Sequence, residues 1–161
     1  PCRRDDLDAR NDVACFRTAP LEHPLILLGE PMLELVVQAD QPGFDLCCAL
    51  SRLRPSIHPA EAPVAEQIST GVLRVLGEHA MAAQKRVVRL QPLLLTLAAG
   101  ESLRLSVAAA AWPQVAVNPG TGAMPWAGVG PEHRVITLTL DPRGARLSMK
   151  PMVGPDCADP A

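Results

Sequence analysis

Hydrophobic and polar residues alternate most regularly between Ser102 and Ala109. The odd-numbered positions of this stretch are apolar and Arg104 and Ser106 lie between them, so we expect a strand with one face in a core and the other near water. The strand is predicted to end before Trp112-Pro113, because proline cannot donate to a ladder and restricts the residue before it. Asn118 to Gly122 then predicts a turn whose glycines take positive φ.

The same alternation predicts a strand from Met32 to Ala39 and a second from Phe44 to Leu53. Between them, Asp40-Gln41-Pro42-Gly43 predicts a hairpin turn, so we expect these two strands to pair. Gly71 predicts a bulge in a further strand, and Asp141-Pro142-Arg143-Gly144 predicts a second hairpin. The remaining strands are expected at residues 13–18, 24–28, 66–75, 134–140 and 145–150. Residues 85–97, broken at Pro92, are expected to form either two strand pieces or one edge strand with a bend.

About eight short strands, no long helical pattern and frequent turn residues favour an all-β architecture, in which two antiparallel sheets pack face to face as a β-sandwich. The chain has 161 residues, which suits a single domain with one core. We predict a polar leader at residues 1–12, one β-sandwich domain at 13–150 and a frayed tail at 151–161. Because residue 1 is proline, we expect the sequence to be part of a longer chain.

Charge and composition exclude several classes of function. The net charge is −2 and the 15 Lys and Arg residues are scattered, which disfavours nucleic-acid binding. No apolar run approaches the roughly 18 residues of a membrane span, so no membrane partner is expected. The five cysteines lack CxxC spacing and favour a reducing, cytoplasmic compartment, although the sequence leaves the localisation open.

Candidate catalytic and metal-binding residues are hard to find. The sequence contains no G-x-S-x-G nucleophile elbow, and His23, His58, His79 and His133 are far from one another along the chain. Carboxylates do not cluster near a glycine turn with calcium-ligand spacing. We therefore name no catalytic residue, no metal ligand and no cofactor for these 161 residues.

Several stretches resemble the C-terminal domain of the CocE/NonD serine hydrolases, a family that includes cocaine esterase, X-Pro dipeptidyl-peptidases, glutaryl acylases and α-amino acid ester hydrolases. SVAAAAWPQVAVNPGTG is similar to the family segment SSSxFPxxxxNxNTG. ADQPGFDLCCALSRLRP resembles its Pro-x-x-Asp-Phe hairpin, ISTGVLRV its Asp-Gly-Ile-x-Arg strand, and LAAGESLRLSV its Pro-Gly-His-Arg-Ile-Arg-Leu strand. The matches run in the same order as in the family, from about Arg4 to about Leu140.

This resemblance implies a jelly-roll sandwich of the galactose-binding-domain type that is not catalytic on its own. It implies that the parent protein is an ester or amide hydrolase, such as an X-Pro dipeptidyl-peptidase, whose triad lies in an upstream α/β-hydrolase domain of the same chain. This domain would buttress that partner and shape substrate access, and self-association of the parent stays open. The sequence departs from the family in its Pro-rich segment Arg54 to Ala65 and at Thr70, which stands where the family has Asp.

The resemblance points to a candidate interdomain surface in the segment after the strand that begins at Ser102. A stand-alone carbohydrate- or ligand-binding module is the alternative, but sugars stack on exposed aromatic rings and the chain has only two Trp, two Phe and no Tyr. We expect both phenylalanines in the core and both tryptophans to pack locally or against another domain. The predicted interdomain surface comprises Trp112, Pro113, Asn118, Gly120, Thr121, Gly122 and Trp126.

Overall fold

The computed structural model describes residues 2–56, 58, 62–126 and 130–149, and it confirms an all-β, jelly-roll-like sandwich. Nine strands lie within the described residues, with one four-residue helix, α1 (Asp5–Asp8), and one 3-10 turn at Glu78–Ala80. The strands are β1 (Val13–Arg17), β2 (Leu25–Gly29), β3 (Met32–Ala39), β4 (Gly43–Arg54), β5 (Val64–Leu76), β6 (Gln84–Arg89), β7 (Leu93–Leu97), β8 (Ser102–Ala108) and β9 (Leu138–Ser148).

The strands form three antiparallel sheets. Four strands pair in the order β1-β8-β4-β5, three in the order β6-β3-β9, and β2 pairs with β7. The core lies between the first two of these sheets, where alternate apolar residues of each strand meet. Its fully buried members include Phe44, Leu46 and Leu50 of β4 and Val37 of β3, as their alternation predicts.

The predicted pairing of the strands at 32–39 and 44–53 is wrong. β3 pairs with β6 and β9, whereas β4 pairs with β5 and β8, so the turn at Asp40 to Gly43 carries the chain from one sheet to the other. Turn residues show that a chain reverses, but they do not show whether the next strand hydrogen-bonds to the last one or packs across the core from it.

The predicted hairpin at Asp141 to Gly144 is also wrong. β9 runs from Leu138 to Ser148 beside β3 without reversing, and four residues of β9, 142–145, lie between the pairs Val36–Asp141 and Glu34–Arg146. On β3 only Leu35 lies between those pairs. The proline and glycine therefore form a large bulge in one long strand.

Gly71 does not form a bulge, because it pairs in register with Cys48. The register of β4 and β5 shifts instead where Leu50 pairs with Ser69 and Ser51 with Gln67, which leaves Ile68 as the extra residue. Glycine is required at position 71 for another reason. A Cβ atom there would lie 2.2 Å from the carbonyl oxygen of Arg89, where the chain leaves β6.

Part of the outer face of the four-stranded sheet is covered, although the pattern of β8 predicts contact with water. Ser102 and Ser106 are each 1% exposed, and Arg17 donates a hydrogen bond to Ser102 at 3.2 Å. Arg104 ion-pairs with Asp8, whose side chain is 1% exposed, at 2.7 Å. Asp8 also accepts hydrogen bonds from Arg4 at 3.0 and 3.1 Å.

Residues 2–12, within the predicted polar leader, also extend the sheet edge, because the amide of Gln67 donates to the carbonyl of Cys2 and the amide of Arg4 donates to that of Ala65. The predicted tail at residues 151–161 lies outside the described residues.

Phe16, expected in the core, is 42% exposed. It belongs to β1, the edge strand of its sheet, and faces β9, the edge strand of the opposite sheet. Together with Leu105 and Leu147 it lines an apolar gap of about 280 Å³. The alternation along a strand predicts to which face of the sheet a side chain points. An edge strand, however, has a neighbouring strand on one side only, so a side chain on its inner face can remain exposed.

Candidate interdomain surface and the network beneath it

The segment that links β8 to β9, residues 109–137, carries the candidate surface. It contains no strand among its described residues, and it is fixed to the sandwich by side-chain and backbone hydrogen bonds rather than by a ladder. Its conformation therefore depends on a few polar residues beneath it.

Asp45 is at the centre of the hydrogen-bonded network that holds this segment on the sandwich. It is 2% exposed, on the outer face of β4, and it accepts two hydrogen bonds from Arg74, at 2.8 Å from Nε and 2.7 Å from Nη2. Asn118 donates a third hydrogen bond from Nδ2 to Asp45 Oδ1 at 2.9 Å. A buried carboxylate with a bidentate guanidinium and an amide donor is satisfied, which is the condition under which a charge tolerates burial.

Arg74 joins the sheet directly to the segment above it. One of its Nη atoms also donates to the backbone carbonyl of Ala116. The hydrogen bond from Arg74 to Asp45 raises the pKa of the guanidinium, which favours its charged form.

Asn118 uses its other side-chain atom to shape the turn. Its Oδ1 accepts from the amide of Gly120 at 3.0 Å, and the carbonyl of Pro119 accepts from the amide of Arg134. Gly120 and Gly122 have φ of 71° and 83°, as predicted for this turn. A side chain at Gly120 would also meet Ile136 at 3.0 Å.

The structure separates the seven predicted surface residues into two groups. Asn118 is 4% exposed and Gly120 is buried, so these two residues lie beneath the surface, and Thr121 and Gly122 are half-buried. Trp112 is 72% exposed, Trp126 is 91% exposed and Pro113 is exposed. Neither tryptophan is therefore buried by packing against residues of this domain.

Asp45 and Arg74 are the residues that sequence reasoning missed. Each lies in a stretch already recognised as family-like, in Pro-x-x-Asp and in Gly-x-x-Arg, and Asn118 lies in a third. Three motifs far apart in sequence thus meet in one hydrogen-bonded network. A charged residue between apolar neighbours, as Asp45 is between Phe44 and Leu46, was the signal available.

The groups with potential for chemistry do not converge. The four histidines lie on separate parts of the fold: before β2, between β4 and β5, in the 3-10 turn and before β9. Burial raises the pKa of the Cys47 thiol to about 11 and that of Cys48 to about 12, which disfavours the reactive thiolate. Among the described residues, no group of three or more His, Cys, Asp and Glu residues is placed to hold a metal ion.

No helix in the described part of the chain has the length and apolar character needed to cross a membrane.

Comparison with protein families gives one match. The family of X-Pro dipeptidyl-peptidase C-terminal non-catalytic domains matches residues 4–136, which include Asp45, Arg74 and Asn118. No curated protein matches the sequence.

Solved structures that share the fold include an aminopeptidase and an α-amino acid ester hydrolase. An aminopeptidase from the marine sediment archaeon Thaumarchaeota archaeon is 18% identical, with a TM-score of 0.74 over 86% of this chain and 25% of its own. An α-amino acid ester hydrolase is 19% identical, with a TM-score of 0.73 over 91% of this chain and 26% of its own. The chain therefore spans about a quarter of each of these proteins.

Proposed function

The chain belongs to the family of X-Pro dipeptidyl-peptidase C-terminal non-catalytic domains, and from this membership we propose that it buttresses the catalytic domain of a larger serine hydrolase and shapes substrate access. The partner is an α/β-hydrolase domain that precedes it in the same polypeptide. The observation that carries the proposal is the family match over residues 4–136, which includes the network that holds the exposed segment in place.

The hydrolase reaction itself belongs to the partner domain. The parent protein cleaves an ester or an amide, as an X-Pro dipeptidyl-peptidase does, by attack of a serine on the carbonyl carbon and formation of an acyl-enzyme that water then hydrolyses. The dispersed histidines and the raised pKa values of Cys47 and Cys48 support a role without nucleophilic chemistry for this domain.

The experiment compares four proteins, with p-nitrophenyl esters and Xaa-Pro anilides as substrates: the full-length protein, its elbow-serine variant, the isolated chain and the parent without this chain. The full-length protein is expected to hydrolyse at least one of these substrate classes, and replacing the serine of its G-x-S-x-G elbow with alanine should abolish that activity. The isolated 161-residue chain should not exceed the buffer rate. Activity of the isolated chain, or full activity after the chain is deleted from the parent, would refute the proposal.

The exposure of Trp112 and Trp126 favours one other candidate function, carbohydrate binding. Exposed indole rings are suited to stack on sugar rings, and these two are 72% and 91% exposed. Titration with mono- and oligosaccharides should then give a saturable change in tryptophan fluorescence, abolished by Trp112→Ala or Trp126→Ala. Unchanged fluorescence across the series would leave the accessory role as the function supported best.

A further inference from the structure

A groove of about 500 Å³ crosses the outer face of the four-stranded sheet. Residues 2–12 form one wall of the groove, residues 110–114 form the other, and β4, β5 and β8 supply its floor. Trp112 therefore projects beside a concave surface, whereas Trp126 does not line this groove.

The side chains on the floor of the groove are uncharged, as is typical of a surface that another part of a protein covers. Cys47, Ala49, Thr70, Val72 and Ala108 line it, and none of these outward-facing positions is charged; Thr70 is the one polar residue among them. A sheet face that is meant for water normally carries polar side chains at the outward positions. Where residues 4–8 cover the same sheet, the outward-facing side chain of Arg104 is charged and pairs with Asp8. On the groove floor the outward-facing side chains are uncharged, and among them Val72 is 40% exposed, whereas Cys47 and Ala49 are 9% and 4% exposed.

The rim has the character of a protein interface. Trp112 is 72% exposed and Val72 is 40% exposed, while Arg10, Asp12, Gln67 and Gln114 supply polar groups around them. A large aromatic residue beside a desolvated pocket, with polar residues around it, is the usual arrangement of an interface hot spot.

The position of the first described residues indicates which part of the polypeptide occupies the groove. Cys2 lines the groove, and its carbonyl accepts from the amide of Gln67 on β5, so the polypeptide enters the domain at the groove wall. The structural neighbours are about four times as long as this chain. Because each extended residue spans at most about 3.6 Å, the residues directly upstream of Cys2 start within reach of the groove.

We propose that this groove is the docking site for the preceding hydrolase domain of the same polypeptide, which inserts an apolar segment between Trp112 and residues 2–12. The proposal rests on the proposed function for the existence of that domain. It assigns the interface to the groove and its Trp112 wall rather than to the turn at Asn118 to Gly122 or to Trp126.

Two native cysteines provide the test in the full-length protein. Cys2 lines the groove and Cys15 lies on β1, and both are exposed when this chain is alone. Maleimide labelling is followed by mass spectrometry, with each rate normalised to the rate in urea. Docking should slow Cys2 labelling at least about tenfold relative to Cys15, the size of effect expected for a hot-spot interface.

Substitutions in the groove should release this protection. Val72→Arg places a charge on the groove floor, and Val87→Arg is its matched control, because Val87 is 39% exposed on β6, in the other sheet. Val72→Arg and Trp112→Ala should return Cys2 to the rate of Cys15, and Val87→Arg should not. Both groove residues are at least 40% exposed, so the variants should fold, which circular dichroism checks.

Three results would overturn the proposal: equal labelling of Cys2 and Cys15 in the wild-type protein, equal loss of protection in Trp112→Ala and Trp126→Ala, or protection that disappears on dilution. The last result would identify a second copy of the chain as the occupant. Failure of the proposed function is distinguishable, because a full-length protein without hydrolase activity can still protect Cys2, and an active one can leave Cys2 unprotected.

Discussion

Asp45 joins β4 to β5 and to the segment that carries the candidate surface. It is 2% exposed, and its carboxylate binds both Arg74 and Asn118. Removing one partner of a buried ion pair leaves the other charge uncompensated away from water. The consequence reaches the exposed segment, because Arg74 and Asn118 hold Ala116 and Gly120 in place.

We expect Asp45→Ala to lower the free energy of unfolding by about 3–5 kcal/mol, as for other broken buried pairs. Urea denaturation of the chain measures this change. Asp12→Asn is the control, because Asp12 pairs with Arg10 on the surface at 2.5 Å and should contribute nothing measurable. If the two variants were equally stable, Asp45 would not be the anchor.

The adjacent thiols Cys47 and Cys48 predict a pH dependence of stability. Burial raises their pKa values from 9.0 to about 11 and about 12. Well below pH 9 both thiols are protonated in the folded and the unfolded chain, so their contribution to stability is fully present. Above pH 9 the unfolded chain ionises first, and the free energy of unfolding should fall by up to about 1.4 kcal/mol per pH unit and thiol until the folded pKa is reached.

Urea denaturation at pH 8 and pH 10.5 checks this expectation. The double variant Cys47→Ala/Cys48→Ala should lose less stability between these two pH values than the wild-type chain. The comparison removes the contribution of lysine ionisation, which both proteins share. Identical pH dependence in the two proteins would contradict the assignment to these thiols.

At the scale of elements, β9 offers a test that separates a bulge from a hairpin. Replacing residues 142–145 with one valine would place a single residue opposite Leu35 and make the ladder with β3 regular. Because closing a shorter loop costs less entropy, we expect the variant to keep its strand content. Its free energy of unfolding should fall by no more than about 1 kcal/mol. If these residues formed a hairpin turn instead, the same deletion would remove the turn and separate residues 146–148 from β3. Faster hydrogen exchange of the amides of Leu33 and Glu34, which pair with Leu147 and Arg146, would detect that separation.

The positions of the strands were predictable, because alternation is a property of neighbouring residues. β3 and β4 begin and end within about one residue of the limits that their patterns predict. Their pairing was not predictable in the same way. Whether β4 pairs with β3 or with β8 depends on residues more than fifty positions away, such as Val107 opposite Cys48.

In the candidate surface, too, some features follow from neighbouring residues and others depend on residues far away in the sequence. The exposure of Trp112 and Trp126 follows from their place in a segment rich in proline and glycine, where no strand could bury them. The burial of Asn118 depends on Asp45, 73 residues earlier in the chain, and no local pattern carries that information. Only the joint presence of three family motifs indicated that these stretches belong together.

On the scale of the whole molecule, the segment before β1 is part of the sandwich rather than an appendage. Asp8 is the ion-pair partner of Arg104 on the outer face of β8, and Asp5 Oδ1 accepts from the amide of Ala65 at 3.1 Å. Arg104 has a side chain only 18% exposed and pairs with Asp8 at 2.7 Å and with Asp5 at 3.8 Å, so loss of both carboxylates would leave a nearly buried charge without these partners.

Deletion of residues 1–8 should therefore lower the free energy of unfolding by at least about 3 kcal/mol, the lower end for an unpaired buried charge. Leu7→Ala is the control, because Leu7 is 45% exposed and its loss should change stability by no more than about 0.5 kcal/mol. Urea denaturation compares the two with the wild-type chain. A truncated chain of unchanged stability would show that the segment only passes over the sheet. The expected loss would instead mean that residues 1–8 complete the face that carries the proposed docking groove.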